Sequence, residues 1–225
     1  MPTLSLPDGR RLAYREVGHG APLVLAHGSP GDGRAWARVA PHLAGQFRLL
    51  MPDLPGYGGS DPLPPGTAAR TAAMGAAVAA LVAGSEGPVI LAGHSYGGNV
   101  ALQAALQMPE RIDRLCLFEP VLFRALALAE MREVLEPAER FFRGYTDRVD
   151  AGETAAVSEM VDFWFGPGAF TGLPSPVQAY LQGAAALNAI DVRASLGETT
   201  PKPLIASFAR PVLLAHGERS PPVIP

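Results

Sequence analysis

The sequence predicts an α/β fold built on a mostly parallel sheet, opened by an antiparallel hairpin and interrupted by a long helical cap. Three observations carry this reading. From residue 22 onward, short, predominantly apolar runs alternate with helix-length segments, the pattern of strands covered on both faces and joined by crossover helices. Loops rich in glycine and proline follow the ends of those runs. The alternation lapses between about residues 121 and 205, where the chain reads as helical.

The elements follow in order. Thr3 to Leu6 and Arg11 to Val17 alternate partially and are separated by Pro7-Asp8-Gly9, a turn signal that closes an antiparallel hairpin. The apolar runs Leu23 to Ala26, Phe47 to Met51, Val89 to Ala92, Leu115 to Phe118 and Val212 to Ala215 are the parallel strands. Segments near 33–45, 66–84 and 98–108 are the helices between them. Asp150-Ala151-Gly152-Glu153 and Ser175-Pro176-Val177-Gln178 read as capping boxes that open helices of the insertion. Residues 1–120 and 206–225 are therefore expected to form the core, and 121–205 a helical cap inserted over it.

Composition bounds the function. A chain of 225 residues with 48% hydrophobic side chains buries one core, with room for an insertion. A net charge of −3 and a pI near 5.9 give no electrostatic reason to expect nucleic acid or an anionic membrane as partner. The single cysteine, Cys116, excludes an intrachain disulfide and a cysteine zinc cluster, and is expected to be a buried strand thiol. The most membrane-like stretch, Ala72 to Gly84, falls well short of the ~20 residues a span needs. The N-terminus has no basic region followed by an apolar one, so a cytoplasmic location is expected.

Chemistry concentrates in the loops after the strands. They are His27-Gly28-Ser29-Pro30-Gly31, Asp53-Leu54-Pro55-Gly56-Tyr57-Gly58-Gly59, Gly93-His94-Ser95-Tyr96-Gly97 and Glu119-Pro120. In an open parallel sheet, ligands bind outside the carboxyl ends of the strands, so these loops converge on one rim. The third is the most telling. A nucleophilic serine must project its hydroxyl from a sharp strand-to-helix turn, and the close strand–helix approach demands small residues two positions either side. Gly93 and Gly97 meet that demand, with an apolar run before and helical periodicity after. Side chains of adjacent positions on such a turn diverge, so His94 reads as a residue packed beside Ser95. No phosphate-loop signature, such as G-x-G-x-x-G or G-K-[ST], is present.

These three motifs, in this order and spacing, resemble the α/β-hydrolase superfamily with a helical cap, from about residue 3 to the end of the chain. The resemblance implies Ser95 as nucleophile and the backbone N–H groups of Ser29 and Tyr96 as oxyanion hole. As side chains, His27 and Asp53 are expected to stabilise their loops, with a catalytic role as the alternative for each. A serine nucleophile argues against haloalkane dehalogenase and epoxide hydrolase chemistry, which in this superfamily use aspartate.

The triad is harder to complete. The family commonly places its acid after the strand that corresponds to Val212–Ala215, where this chain has His216-Gly217-Glu218-Arg219-Ser220, with Ser220 in the usual aspartate slot. Some members carry the acid one strand earlier, which nominates Glu119. The alternatives are a structural Glu119 that anchors the start of the cap, and Glu218 as acid. The histidines are His19, His27, His42, His94 and His216. The family's catalytic histidine follows a further strand, and none of these five occupies that place. The chain is therefore expected to be truncated at its C-terminus relative to the family, lacking the last strand and helix, and inactive by itself.

The cap carries Phe141, Phe142, Tyr145, Phe163, Trp164, Phe165, Phe170 and Tyr180. Phe141, Phe163 and Trp164 are expected to bind substrate as an apolar wall over Ser95, with packing of the cap helices as the alternative role. The expected partner is a small, uncharged acyl compound, and no metal or organic cofactor is implied. Two functions remain open: a serine hydrolase working through an acyl-enzyme, and a non-catalytic binding protein that keeps the hydrolase pocket.

Overall fold

The computed structural model describes residues 1–224. β1 (Thr3–Ser5) and β2 (Arg11–Val17) pair antiparallel, with Leu4 opposite Leu12. Asp8 and Gly9 make the turn between them as the sequence predicts. Gly9 takes φ +85°, and the Asp8 carboxylate accepts the Arg10 N–H at 3.1 Å.

The chain then alternates strand and helix. β3 (Ala21–Ala26) leads through a 3-10 turn (Gly33–Trp36) and α1 (Ala40–Leu43) to β4 (Phe47–Pro52). Next come α2 (Arg70–Ala83), β5 (Val89–His94), α3 (Tyr96–Gln107) and β6 (Ile112–Phe118). Six helices follow: α4 (Phe123–Leu128), α5 (Arg132–Asp150), α6 (Val157–Phe165), α7 (Ser175–Gly183), α8 (Ala185–Leu196) and α9 (Lys202–Ala206). β7 (Val212–Ala215) closes the sequence of elements. The sheet order is β1-β2-β4-β3-β5-β6-β7. β2 pairs antiparallel with β4, and every pair from β4 to β7 is parallel.

Three apolar clusters hold this arrangement. Val24, Leu50, Leu91 and Leu115 meet Met74, Val78, Val100 and Ala104 of α2 and α3 on one face of the sheet. Leu25, Leu49 and Met51 pack with Trp36 and Leu43 on the other. Phe123, Leu126, Phe142, Val157 and Ala189 form a separate core among the helices between β6 and β7. No helix among the described residues is long and apolar enough to cross a membrane.

Several local expectations need correction. The helix expected near 33–45 is broken into a 3-10 turn and a single turn of α-helix. Asp150 ends a helix instead of starting one. Leu135, Ala138, Phe142, Tyr145 and Val149 are all buried on α5, and this three-and-four spacing carries the helix through the supposed cap. Helix α7 does begin at Ser175, but Pro174 is its N-cap and no side-chain capping bond forms. Cys116 is only half-buried, because the cluster on its face of the sheet covers it in part. β7 is apolar at every position yet exposed, with Val212, Leu213 and Leu214 about half accessible. It is the edge of the sheet among the described residues, so neither of its faces is covered as an internal strand's would be.

Candidate active site

The turn between β5 and α3 has the geometry that its glycines foretold. Ser95 adopts φ 56°, ψ −126°, a conformation that costs a non-glycine residue of order 1–3 kcal/mol. Three backbone bonds hold it there. The Ser95 N–H donates to the Phe118 carbonyl at 3.0 Å, and the Ser95 carbonyl accepts from Gly98 at 2.9 Å and Val121 at 3.2 Å. A Cβ on Gly93 would collide with the Gly97 carbonyl, and one on Gly97 with the carbonyls of His27 and Ala26. Both positions are thus confined to glycine by backbone, which no side-chain repacking relieves.

The loop after β3 faces this turn. Ser29, Ser95 and Tyr96 line one cavity with Val121, Phe142 and Trp164. Among the described residues, neither the Ser29 N–H nor the Tyr96 N–H donates to a protein acceptor. Behind them, His27 is fully buried. Its Nδ1 lies 2.8 Å from the Gly28 carbonyl and its Nε2 accepts the Leu54 N–H at 2.9 Å. Those partners fix a neutral ring protonated at Nδ1, and burial holds its pKa below the ordinary value. His27 is therefore spent on tying two loops together. Asp53, also fully buried, accepts from Arg15 at 2.7 Å, the Gly33 N–H at 2.8 Å and the Gly59 N–H at 2.9 Å. One carboxylate thus orders the glycine-rich loop and the 3-10 turn opposite it.

Glu119 follows β6 with φ 46°, and its N–H donates to the Ala215 carbonyl at 2.7 Å. Its Oε1 accepts the Ser220 hydroxyl in a short hydrogen bond, together with the Gly217 N–H at 3.1 Å. Its Oε2 lies 3.8 Å from His94 Nε2. The Ser220 bond, helped by Gly217 and His94, holds the carboxyl below its ordinary pKa against a smaller effect of burial. Burial lowers the His94 pKa, and Glu119 opposes it. His94 stands beside the elbow but is exposed and not packed as expected, and a Cβ on Gly28 would come within 3.5 Å of its Nδ1 and 3.1 Å of Ser95 Cβ. Ser95 Oγ accepts no hydrogen bond from an imidazole among the described residues. Glu218 lines the outer cleft without a hydrogen bond to any imidazole.

The aromatic residues divide differently from the sequence expectation. Phe163 and Trp164 line the cleft above Ser95. Phe141 does not. It stacks on Phe163 at 4.6 Å between ring centroids, behind the wall, and the neighbouring Phe142 reaches the cavity instead. On α5 these two positions lie about 100° apart around the axis, and only the face with Leu135, Ala138 and Phe142 is turned fully inward.

Sequence reasoning missed a set of buried polar residues. Asn188, Asp191 and Ser195 line the same cavity from α8, each no more than 2% exposed. Their spacing of three and four residues was the available signal for one polar helix face. No group of three or more His, Cys, Asp or Glu able to hold a metal occurs among the described residues.

Comparison with known proteins places this geometry in a wider setting. Residues 21–160 match the family model described as alpha/beta hydrolase fold. The chain is 36% identical over 116 residues to lipase LipV of Mycobacterium tuberculosis, a match that covers 52% of this chain and 42% of that protein. It is 28% identical over 189 residues to the (E)-2-((N-methylformamido)methylene)succinate hydrolase of Acinetobacter baylyi, covering 80% of this chain and 71% of that one. The chain thus spans less than half the length of LipV. Among solved structures, an esterase from Exiguobacterium antarcticum superposes with a TM-score of 0.76 at 18% identity, covering 99% of this chain and 82% of that one. That likeness is one of fold.

Proposed function

Because the chain belongs to the α/β-hydrolase fold family, we propose that it is the nucleophile-bearing part of a serine hydrolase acting on carboxylic esters or related acyl compounds, including C–C bonds beside a carbonyl. The observation that carries this reading is the strained Ser95, set in one cavity with the two unengaged amides of Ser29 and Tyr96. In the reaction, Ser95 Oγ attacks the carbonyl carbon while an imidazole takes its proton. The oxygen that becomes negative lies between the Ser29 and Tyr96 N–H donors, and loss of one such donor costs roughly 3 kcal/mol of transition-state stabilisation. The tetrahedral intermediate then expels its leaving group, which takes the proton from the imidazolium. Water releases the acyl group by the same steps in reverse roles.

Glu119 suits the acid's part. One oxygen is anchored by Ser220 and Gly217, and the other is left to orient an imidazole. The helices between β6 and β7 serve as the cap, with Phe142, Phe163 and Trp164 as the apolar side of the acyl pocket. The 225-residue chain by itself is expected to show no appreciable ester turnover, since no imidazole engages Ser95 Oγ among the described residues. The same observation favours a second reading, a binding protein that keeps the pocket without the chemistry. Fluorophosphonate labelling and hydrolysis of p-nitrophenyl esters, each with Ser95→Ala as control, test both. Brisk turnover abolished by that substitution would overturn the expected inactivity. Activity gained when a longer form carrying a histidine beyond residue 225 is assayed supports the hydrolase, and its continued absence supports the binding protein.

A further inference from the structure

Ser29 is tied to the cap by a chain of hydrogen bonds whose direction is fixed from both ends. Arg70 Nε donates to Asp191 Oδ1 at 2.7 Å, and the Tyr57 hydroxyl donates to Asp191 Oδ2 at 2.6 Å. That spends Tyr57's only proton. The 2.7 Å contact between Ser29 Oγ and Tyr57 Oη must then carry the Ser29 proton to Tyr57. Asn188 Nδ2 donates to Ser29 Oγ at 3.0 Å, and the Tyr145 hydroxyl donates to Asn188 Oδ1 at 2.7 Å. Every group in the chain has one part to play. The parts come from the loops after β3 and β4, the start of α2, and the cap helices α5 and α8. The Arg70–Asp191 pair that ends the chain is buried, with Asp191 1% exposed.

We propose that Asp191, acting through Tyr57, is a positioning residue for the Ser29 loop, and that the same chain latches α8 onto that loop. The inference rests on the reading above only in the role it gives the Ser29 amide. The chemistry explains why a carboxylate is required. An ionised carboxylate can only accept, so it sets the polarity of the whole relay. An amide at 191 could donate to Tyr57, which would turn the Tyr57 proton toward Ser29 Oγ. That oxygen already receives the Asn188 N–H, and the Ser29 proton would lose its acceptor. Polar networks of this kind rigidify when fully satisfied and loosen when one polarity is wrong. Burial raises the Asp191 pKa, while Arg70 and the hydrogen bond from Tyr57 oppose it.

The test needs no turnover, so it stands or fails apart from the hydrolase reading. Hydrogen exchange of residues 27–36 and of α8 is followed by mass spectrometry, and the Ser29 amide resonance by 15N-serine labelling. Tyr57→Phe and Asp191→Asn are each expected to speed exchange of the 27–36 segment roughly tenfold and to move the Ser29 resonance. The double variant is expected to add little to Asp191→Asn alone. Arg193→Ala removes an exposed ion pair that joins the same helix to Asp150 on α5, and serves as the control for general loosening of the cap. It is expected to leave the Ser29 signals in place. Unchanged exchange and resonance in Tyr57→Phe, or equal effects from Arg193→Ala, would overturn the proposal. Should Asp191→Asn fail to fold, Tyr57→Phe, which removes one oxygen, decides alone.

Discussion

Ser220 gives its hydroxyl proton to Glu119 across 101 residues of sequence, joining the loop after β7 to the end of β6. The serine stands where the family commonly has aspartate, and in this chain it holds the carboxylate of the preceding strand. In the proposed enzyme Glu119 takes the acid's part, and Ser220 is its support.

Removing that support is expected to raise the Glu119 pKa toward its ordinary value, because the Ser220 bond is the largest influence holding it down. In Ser220→Ala, a carboxyl 13C titration of Glu119 should have its midpoint at higher pH than in the parent chain. A midpoint left where it was would mean that Gly217 and His94 suffice. The Glu119 side chain is a little over one-third exposed, so only a small change in global stability is expected.

His27 makes a separate statement about pH. Its folded pKa lies below the ordinary 6.5 because burial disfavours the imidazolium. The unfolded chain therefore binds the proton first as pH falls. Stability from this site is complete above about pH 6.5 and declines below it, by up to roughly 1.4 kcal/mol per pH unit, until the folded-state pKa is reached. Urea denaturation between pH 7.5 and 5 should show a steeper loss for the parent than for His27→Gln. Parallel curves would assign the loss to other groups.

A pair of glycine substitutions separates conformational need from helix propensity. Gly97→Ala should destabilise the protein by about 1–3 kcal/mol, toward the upper end since backbone carbonyls stand in the way. Gly144, on the exposed side of α5 with open space at its Cβ position, should respond in the opposite sense. There alanine is expected to add about 0.5–1 kcal/mol. Chemical denaturation midpoints of the two variants should fall on opposite sides of the parent's.

What was legible in the sequence was local. The Pro7-Asp8-Gly9 turn and the glycines about Ser95 declare themselves because their constraint lies within a few residues. Of the parallel strands, β3 declares itself most plainly, because burial on both faces leaves an unbroken apolar run, whereas β4 and β6 show shorter apolar stretches interrupted or preceded by Arg48, Asp113 and Arg114. Contacts set by distant chain could not be read. Tyr57 meets Asp191 134 residues away, and Arg70 meets it 121 residues away. Nothing near Asp191 tells it from a solvated helix carboxylate. Asp150 misled for the opposite reason. Its local capping pattern is genuine, but the buried stripe of α5 overrides it. β7 forms where its apolar run predicts a strand, and the exposure of that run is that of a sheet edge.

The backbone of Ser95 has a consequence for how sequence variation would be scored at that position. At φ 56° a glycine sits without strain, so Ser95→Gly should accumulate to a higher level than the parent in a screen that reads only cellular abundance. Under the proposed hydrolase role, a screen that reads ester hydrolysis in a form supplied with its histidine should reject the same variant. Selection for a sturdier molecule and selection for a reactive one thus point in opposite directions at a single residue.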